Sequence, residues 1–219
     1  MINLTLADEI VVLALDDSSG EIKPTTLPVA NIAAVGGILM ELALRGHIDT
    51  DLKSLFIVNP APTGDDLLDP ILSEIAAEAE RHPSAWWIDE LSGRHHDLVE
   101  RILQRLVKAG ILRQEERQFL WVFSRRAYPQ VSGREEREAK ARLMAVLFKD
   151  EVPDPRDTLL LGLANSTGVL SKILTEDELE KASRRIAEVE ALEEIGRSVR
   201  SVSTQVWYAL SIARVSRPD

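Results

Sequence analysis

The sequence predicts a mainly α protein, and three observations carry that expectation. Leu and Ala recur with a helical period along most of the 219 residues. Aromatic residues make up only 5% of the chain and threonine is sparse, so little of the usual strand-forming enrichment is present. Two capping-box patterns, Ser132-x-x-Glu135 and Thr175-x-x-Glu178, mark helix starts.

Taken in order, Leu4 to Leu15 contains the core-like run IVVLAL and fits either a strand or a helix. From Pro28, the spacing of Val29, Ile32, Ala33, Leu39 and Leu42 predicts a buried helix that stops at Arg45-Gly46, where glycine supplies a left-handed cap. Asp69-Pro70 reads as N-cap and first turn of a helix through Ile71, Leu72, Ile75, Ala76 and Ala79. Ser84 opens a short helix through Trp87, Ile88 and Leu91, closed by Gly93. Leu98, Ile102, Leu103 and Leu106 define an amphipathic helix ending at Gly110. After it, Ile111-Leu112 and Phe119 to Phe123 flank the charged stretch RQEERQ, which predicts a β-hairpin with a charged tip. Helices through Ala139, Leu143, Val146 and Leu147, then Leu159, Leu160 and Leu163 after Asp154-Pro155, lead to last helices through Ile186, Val189 and Leu192 and through Val206, Trp207, Leu210 and Ile212. No low-complexity linker or solenoid repeat interrupts the chain, so 1–219 is expected to be one domain.

Composition narrows the function. With 45% hydrophobic residues the chain is of globular type, and at this length roughly 70% of its unfolded surface can be buried without a disulfide or metal staple. Zero cysteines exclude a thiolate nucleophile, an iron–sulfur cluster and the usual cysteine-bound zinc. Asp8 and Glu9 interrupt the first apolar run, so no secretory signal is expected. The longest uncharged stretch, Pro24 to Met40, falls short of the ~20 apolar residues of a bilayer crossing.

The net charge of −10 is unevenly distributed. Residues 1–93 hold 4 Lys/Arg against 16 Asp/Glu, residues 94–149 hold 13 against 7, and residues 150–219 hold 9 against 13. A basic segment of that kind can meet an anionic surface even on an acidic molecule, because distant charges are screened beyond about 8 Å. Solvated helix faces with Arg and Glu paired at i,i+4 would produce the same count.

Few residues offer chemistry. His95-His96 is an adjacent pair that diverges on a helix start instead of converging on one metal as i,i+4 residues do. Asp65, Asp66 and Asp69 in PAPTGDDLLD suit a divalent cation, but they suit helix N-capping better. Gly36-Gly37 belongs to no dinucleotide or P-loop pattern, and no GxSxG or HExxH occurs. No catalytic residue, metal or cofactor is therefore expected, and the chain does not read as an enzyme. What remains is the hairpin. Phe119, Leu120, Trp121, Val122 and Phe123 are five consecutive large apolar residues, which as one strand would present apolar side chains on both faces. One face needs a cover: another element, a second subunit, or a lipid interface, with Arg113, Arg117, Arg125 and Arg126 nearby.

The segments LTLADEIVVLALDDSSGEI, ILMELALRGHI, APTGDDLLD, WWIDELSG, RLVKAGIL and QFLWVF occur in an order that resembles the Golgi phosphoprotein 3 family over essentially the whole chain, as a bacterial or otherwise divergent member. ELALRG at 41–46, PTGD at 62–65 and LSG at 91–93 are the most specific pieces. The resemblance implies a central helix bundle wrapped by amphipathic helices, with one projecting apolar hairpin. It also implies a peripheral membrane adaptor that binds phosphatidylinositol 4-phosphate in a basic pocket and holds cargo enzymes at the Golgi, as eukaryotic members do. The pocket positions carried by resemblance, a tryptophan and three arginines, are Thr26, Val35, His96 and Val99 here, so none matches. The basic N-terminal extension of eukaryotic members has no counterpart in these residues.

Charge alone offers Arg94, Arg101, Arg105 and Lys108 as substitute head-group ligands. The expectation is thus a cytoplasmic, non-enzymatic adaptor that sits peripherally on an anionic or phosphoinositide-bearing membrane. Phe119, Leu120, Trp121, Val122, Phe123, Arg125 and Arg126 would make the membrane or oligomer contact, with protein cargo and homo-oligomerisation through the hairpin as further partnerships. Two rivals share the features: a winged-helix-like nucleic-acid binder, which overall acidity disfavours, and a self-assembling interaction domain without lipid binding.

Overall fold

The ambiguous segment at the start of the chain is a helix. In the computed structural model, which describes residues 4–51, 53–119, 123–149 and 152–191 together with 195 and 198, α1 spans Leu6–Ala14 and all nine of its residues are buried, Asp8 and Glu9 included. Thr5 and Asp8 close a capping box on it: Thr5 N–H donates to Asp8 at 2.8 Å and Asp8 N–H to the Thr5 hydroxyl at 3.2 Å. A helix buried all round is a core element, and α2 (Leu27–Leu44) is its main partner. By length and composition α2 is apolar enough to cross a membrane, yet 78% of it is buried in the protein. The expected stop follows, with Gly46 left-handed at φ 70°.

The remaining helices wrap this pair. α5 (Leu98–Lys108), α6 (Arg134–Phe148) and α7 (Pro155–Ser166) pack against α1, while α3 (Leu68–Ala77) and α4 (Ser84–Arg94) pack against α2. The short α8 (Leu170–Ile173) and the long α9 (Glu176–Ala191) cover α7. One contiguous apolar core runs through them, from Leu6 to Ile195. The mainly α expectation is met.

Several details differ from it. Two antiparallel strand pairs are present where one was expected. β1 (Ile48–Thr50) pairs with β2 (Leu55–Ile57), with Asp49 opposite Phe56; strands of three residues are too short to leave an alternating pattern. β3 (Glu115–Phe119) and β4 (Phe123–Ala127) form the hairpin, and its register overturns the charged tip. Most of RQEERQ lies in β3, and Phe119 is the partner of Phe123. Phe119 and Phe123 therefore stand on opposite strands, at the outermost described rung of the ribbon, and the five apolar residues do not form one strand. Leu120, Trp121 and Val122 lie outside the described residues, as do Leu192, Val206, Trp207, Leu210 and Ile212.

Helix starts also shift. Asp154 caps α7, accepting from Arg156 N–H at 2.8 Å, and Thr175 with Glu178 forms its box, as expected. At α6 the N-cap is Gly133, left-handed at φ 64°, and Ser132 instead accepts from Arg134 N–H at 3.2 Å. Asp69 and Pro70 lie inside the first turn of α3, whose capping falls to Asp65.

The α1–α2 crossing depends on Gly37, where an added Cβ would lie 2.7 Å from the backbone nitrogen of Ala7. In a helix interior Gly→Ala ordinarily stabilises by about 0.5–1 kcal/mol. Here overpacking reverses the sign, so Gly37→Ala should destabilise by about 1–3 kcal/mol in urea denaturation. A stabilised variant would show that the helices can separate at this point without cost.

Candidate functional site

Part of the basic segment read from the sequence is taken up by internal partners: Arg105 and Arg142 are half-buried against carboxylates, while Arg94, Lys108, Arg113 and Arg126 stay exposed. Arg101, Arg105 and Lys108 are spaced for one face of α5, and that face meets the turn at 63–69 and the start of α1. The turn is locked by Asp69, which accepts from Thr63 N–H at 2.7 Å, the Thr63 hydroxyl at 2.6 Å and Gly64 N–H at 3.1 Å. Those bonds, the Thr63 hydroxyl first, hold the Asp69 carboxyl below its usual pKa. Asp65 accepts from Leu67 N–H and Leu68 N–H at the head of α3. Asp69 and Asp65 thus serve the turn and the helix start, and no metal-ligating cluster occurs among the described residues.

Arg105 joins this turn to α1. Its guanidinium donates to both oxygens of Asp8, at 3.1 and 2.5 Å, to both oxygens of Asp65, at 2.8 and 3.0 Å, and to the Thr5 hydroxyl at 3.1 Å. Burial works against its charge, but the bonds and charges of Asp8 and Asp65 outweigh it and raise its pKa. A guanidinium with five such acceptors has no donor to spare. Beside it opens a cleft of about 430 Å³, with Lys108 exposed on its rim. Of the other proposed head-group ligands, Arg94 is held by Glu90 and Glu74, and Arg101 leans on the Asp66 carbonyl at 3.4 Å.

Sequence reading missed two further arginines at α1. Arg142 of α6 pairs with Glu9 and, at 2.8 Å, with Asp157. Arg156 of α7 pairs with Glu41 at 2.8 Å and Glu9 at 3.4 Å and donates to the Leu4 carbonyl at 2.6 Å. Glu41 in turn accepts from Leu6 N–H. Burial pushes the Glu9 pKa up, and the two arginines oppose that rise. The one sequence signal was Thr5-x-x-Asp8, which marks a helix start but not its partners.

The hairpin is anchored firmly at its root. Arg113 N–H donates to the Pro129 carbonyl and Val131 N–H to the Ile111 carbonyl, both at 2.9 Å. Tyr128 is buried, its hydroxyl donates to Glu100 at 2.8 Å, and its N–H donates to the Gly20 carbonyl at 2.7 Å. A Cβ at Gly20 would sit 2.7 Å from the Pro129 nitrogen, so the 16–20 turn and the hairpin root meet backbone to backbone. Arg126 pairs with Glu100 at 3.0 Å. Outward from there the rungs are Arg117↔Arg125, Gln118↔Ser124 and Phe119↔Phe123. The family positions do not form a basic pocket: Val35 is 0% and Val99 2% exposed, Thr26 is half-buried at the start of α2, and His96 is exposed.

A buried central helix pair, amphipathic helices around it and a two-stranded ribbon rooted between α5 and α6 define the structural class. Residues 6–206 match the family described as Golgi phosphoprotein 3 (GPP34), and the chain belongs to that family. It is similar to vacuolar protein sorting-associated protein 74 of Schizosaccharomyces pombe, 30% identical over 165 residues, which are 66% of this chain and 48% of that protein. The chain thus spans about half the length of this curated relative.

Asp8 is 2% exposed, so losing its partner leaves a buried charge uncompensated. Arg105→Met should cost about 3–5 kcal/mol of unfolding free energy, whereas Arg101→Met should stay within about 0.5 kcal/mol. Equal effects in denaturant titrations would remove the structural role given to Arg105.

Proposed function

We propose that the chain is a non-enzymatic adaptor that associates peripherally with an anionic membrane through the end of its hairpin, on the cytoplasmic face of a Golgi-type compartment where its host has one. Family membership and the sorting role in the relative's name support the adaptor reading. The observation that carries the membrane reading is the hairpin register, in which Phe119↔Phe123, the two ends of the apolar run, is the outermost described rung and Arg117↔Arg125 lies two rungs behind it. Apolar residues that enter the headgroup boundary, backed by cations near the phosphates, are how interfacial anchors hold. Arg105 leaves the set of lipid ligands, because its donors are taken; Lys108, Arg113, Arg125 and Arg126 carry the attraction instead. Each contributes on the order of 1 kcal/mol near an anionic surface, within a Debye length.

Leu120→Ser with Trp121→Ser should release the protein from phosphatidylserine liposomes in flotation while leaving its melting temperature unchanged. Unaltered flotation overturns the proposal. Loss of self-association in sedimentation, with flotation intact, assigns the hairpin to subunit contact.

Head-group choice follows from the four family positions. A phosphate ester is held tightly by arginine forks, and valines stand at two of those places, Val35 and Val99. Binding should therefore follow total lipid charge and fall steeply with salt. Liposomes matched in surface charge, with and without phosphatidylinositol 4-phosphate, should bind alike; a salt-resistant preference for the phosphoinositide would refute a charge-only contact.

A further inference from the structure

A second cleft, of about 300 Å³, lies at the opposite end of the buried helix, where the last turn of α1 meets the start of α2 and the turn between α7 and α8. Its wall is built from small apolar residues, among them Ala14, Val29, Ala30, Ala33 and Val169. The three hydroxyls beside them are all turned into backbone. Thr26 donates to the Lys23 carbonyl at 3.0 Å, Thr167 to the Leu163 carbonyl at 2.8 Å and Ser171 to the Gly168 carbonyl at 2.7 Å. What faces the hollow is therefore mostly apolar surface.

Lys172 is the one ionisable residue among those lining it. Its ammonium donates to the Ala14 carbonyl at 2.8 Å, capping the last turn of α1 as cations do at helix C-termini. That contact uses one of three donors. No carboxylate lies within ion-pair distance of it among the described residues; Asp16 and Asp17 act only as more distant charges. Burial first, and the nearby Lys23 second, lower its pKa. On its other side Lys172 lines a polar hollow with Lys23 and Lys140 and with the carboxylates of Asp16, Asp17 and Glu21. Helix capping accounts for the one bond to Ala14; the other donors are exposed at the mouth of the apolar hollow.

We propose that this cleft binds a single-chain anionic amphiphile, its short apolar chain lying along Ala14, Val29 and Ala33 and its carboxylate or phosphate head on the Lys172 ammonium. A mostly apolar hollow with one convergent polar group is the usual form of a small-ligand site. A cleft of about 300 Å³ lies at the small end of the range for small-ligand sites and suits a short chain. Lys172 is exposed, so an anionic head would replace water on its free donors with a direct charge-assisted hydrogen bond. The site is separate from the hairpin and needs no bilayer.

Calorimetric titration of the full chain with decanoate and with decyl phosphate, each below its aggregation concentration, reads the site. Decanol and inorganic phosphate supply the chain and the head alone. Saturable binding of one molecule is expected for at least one of the two anions, with both controls about tenfold weaker or more. Tighter decyl phosphate assigns a phosphate head and tighter decanoate a carboxylate head, and either supports the site. Lys172→Met should weaken binding about tenfold or more. Because Lys172 also caps α1, Ser171→Glu provides a second variant: it sets a carboxylate beside the ammonium from an exposed position and should weaken binding likewise. Ala30→Leu should fill the hollow and abolish binding. The Leu120→Ser, Trp121→Ser protein should bind the anions as the wild type does, which separates this site from the membrane reading. Absence of saturable binding by both anions, equal binding of decanol or of inorganic phosphate, or wild-type affinity in the folded Lys172→Met or Ser171→Glu protein would overturn the proposal.

Discussion

Two carboxylates in the first turn of a fully buried helix impose the strongest constraint on this fold. Asp8 and Glu9 leave water with α1, and the counter-charges arrive from three different helices: Arg105 of α5, Arg142 of α6 and Arg156 of α7. Burying such pairs need not add stability over an apolar core, because desolvation offsets much of the attraction. Their effect is on which arrangement is allowed. Leu, Val and Ala surfaces pack in many registers, whereas each arginine reaches its carboxylate in only one. Glu41 ties α2 into the same set by accepting from Leu6 N–H and from Arg156. The apolar crossing at Gly37 then settles how closely α1 and α2 approach.

That constraint also accounts for the uneven charge along the chain. The acidic first 93 residues and the basic 94–149 segment fold onto each other: Arg105 onto Asp8 and Asp65, Arg142 onto Glu9, Lys140 onto Asp17, Arg94 onto Glu74. Helix-local pairs are present as well, such as Arg134 with Glu138. Part of the basic surplus is thus counter-charge to the acidic first segment, with Arg105 and Arg142 its half-buried members. Among the described residues Lys108, Arg113 and Arg126 remain exposed near the hairpin.

What was legible in the sequence was what local physics determines. The stop at Gly46, the caps at Asp154 and Thr175 and the core faces of α2 and α5 depend on residues within a turn or two of each other. The α1 segment was ambiguous because burial on all sides erases the period that separates helix from strand. The Arg105–Asp8 contact spans 97 positions and leaves no spacing to read. The hairpin was read in the wrong register for a different reason. In a ribbon with no alternating core face, charged residues occupy strand positions, and the longest apolar run need not be a strand at all. The Lys172 cleft was invisible because its walls are small residues whose significance is the space they leave.

The hairpin's register bears on the proposed contact with an anionic membrane, which an acidic protein would make against its own net charge. A net charge of −10 repels such a surface at long range. Screening limits that repulsion to about 8 Å at physiological salt. From Glu115↔Ala127 at the root to Phe119↔Phe123 at the end, the ribbon runs four residue steps, about 13 Å at 3.3 Å per residue. Measured along the ribbon, its apolar end is therefore more than one screening length from the root, with the Arg117↔Arg125 rung between them. The root must be stiff for that separation to matter. The Tyr128 contacts with Glu100 and Gly20 supply the stiffness, and they explain why a buried aromatic hydroxyl and a close-packed glycine are found at the base of a polar ribbon.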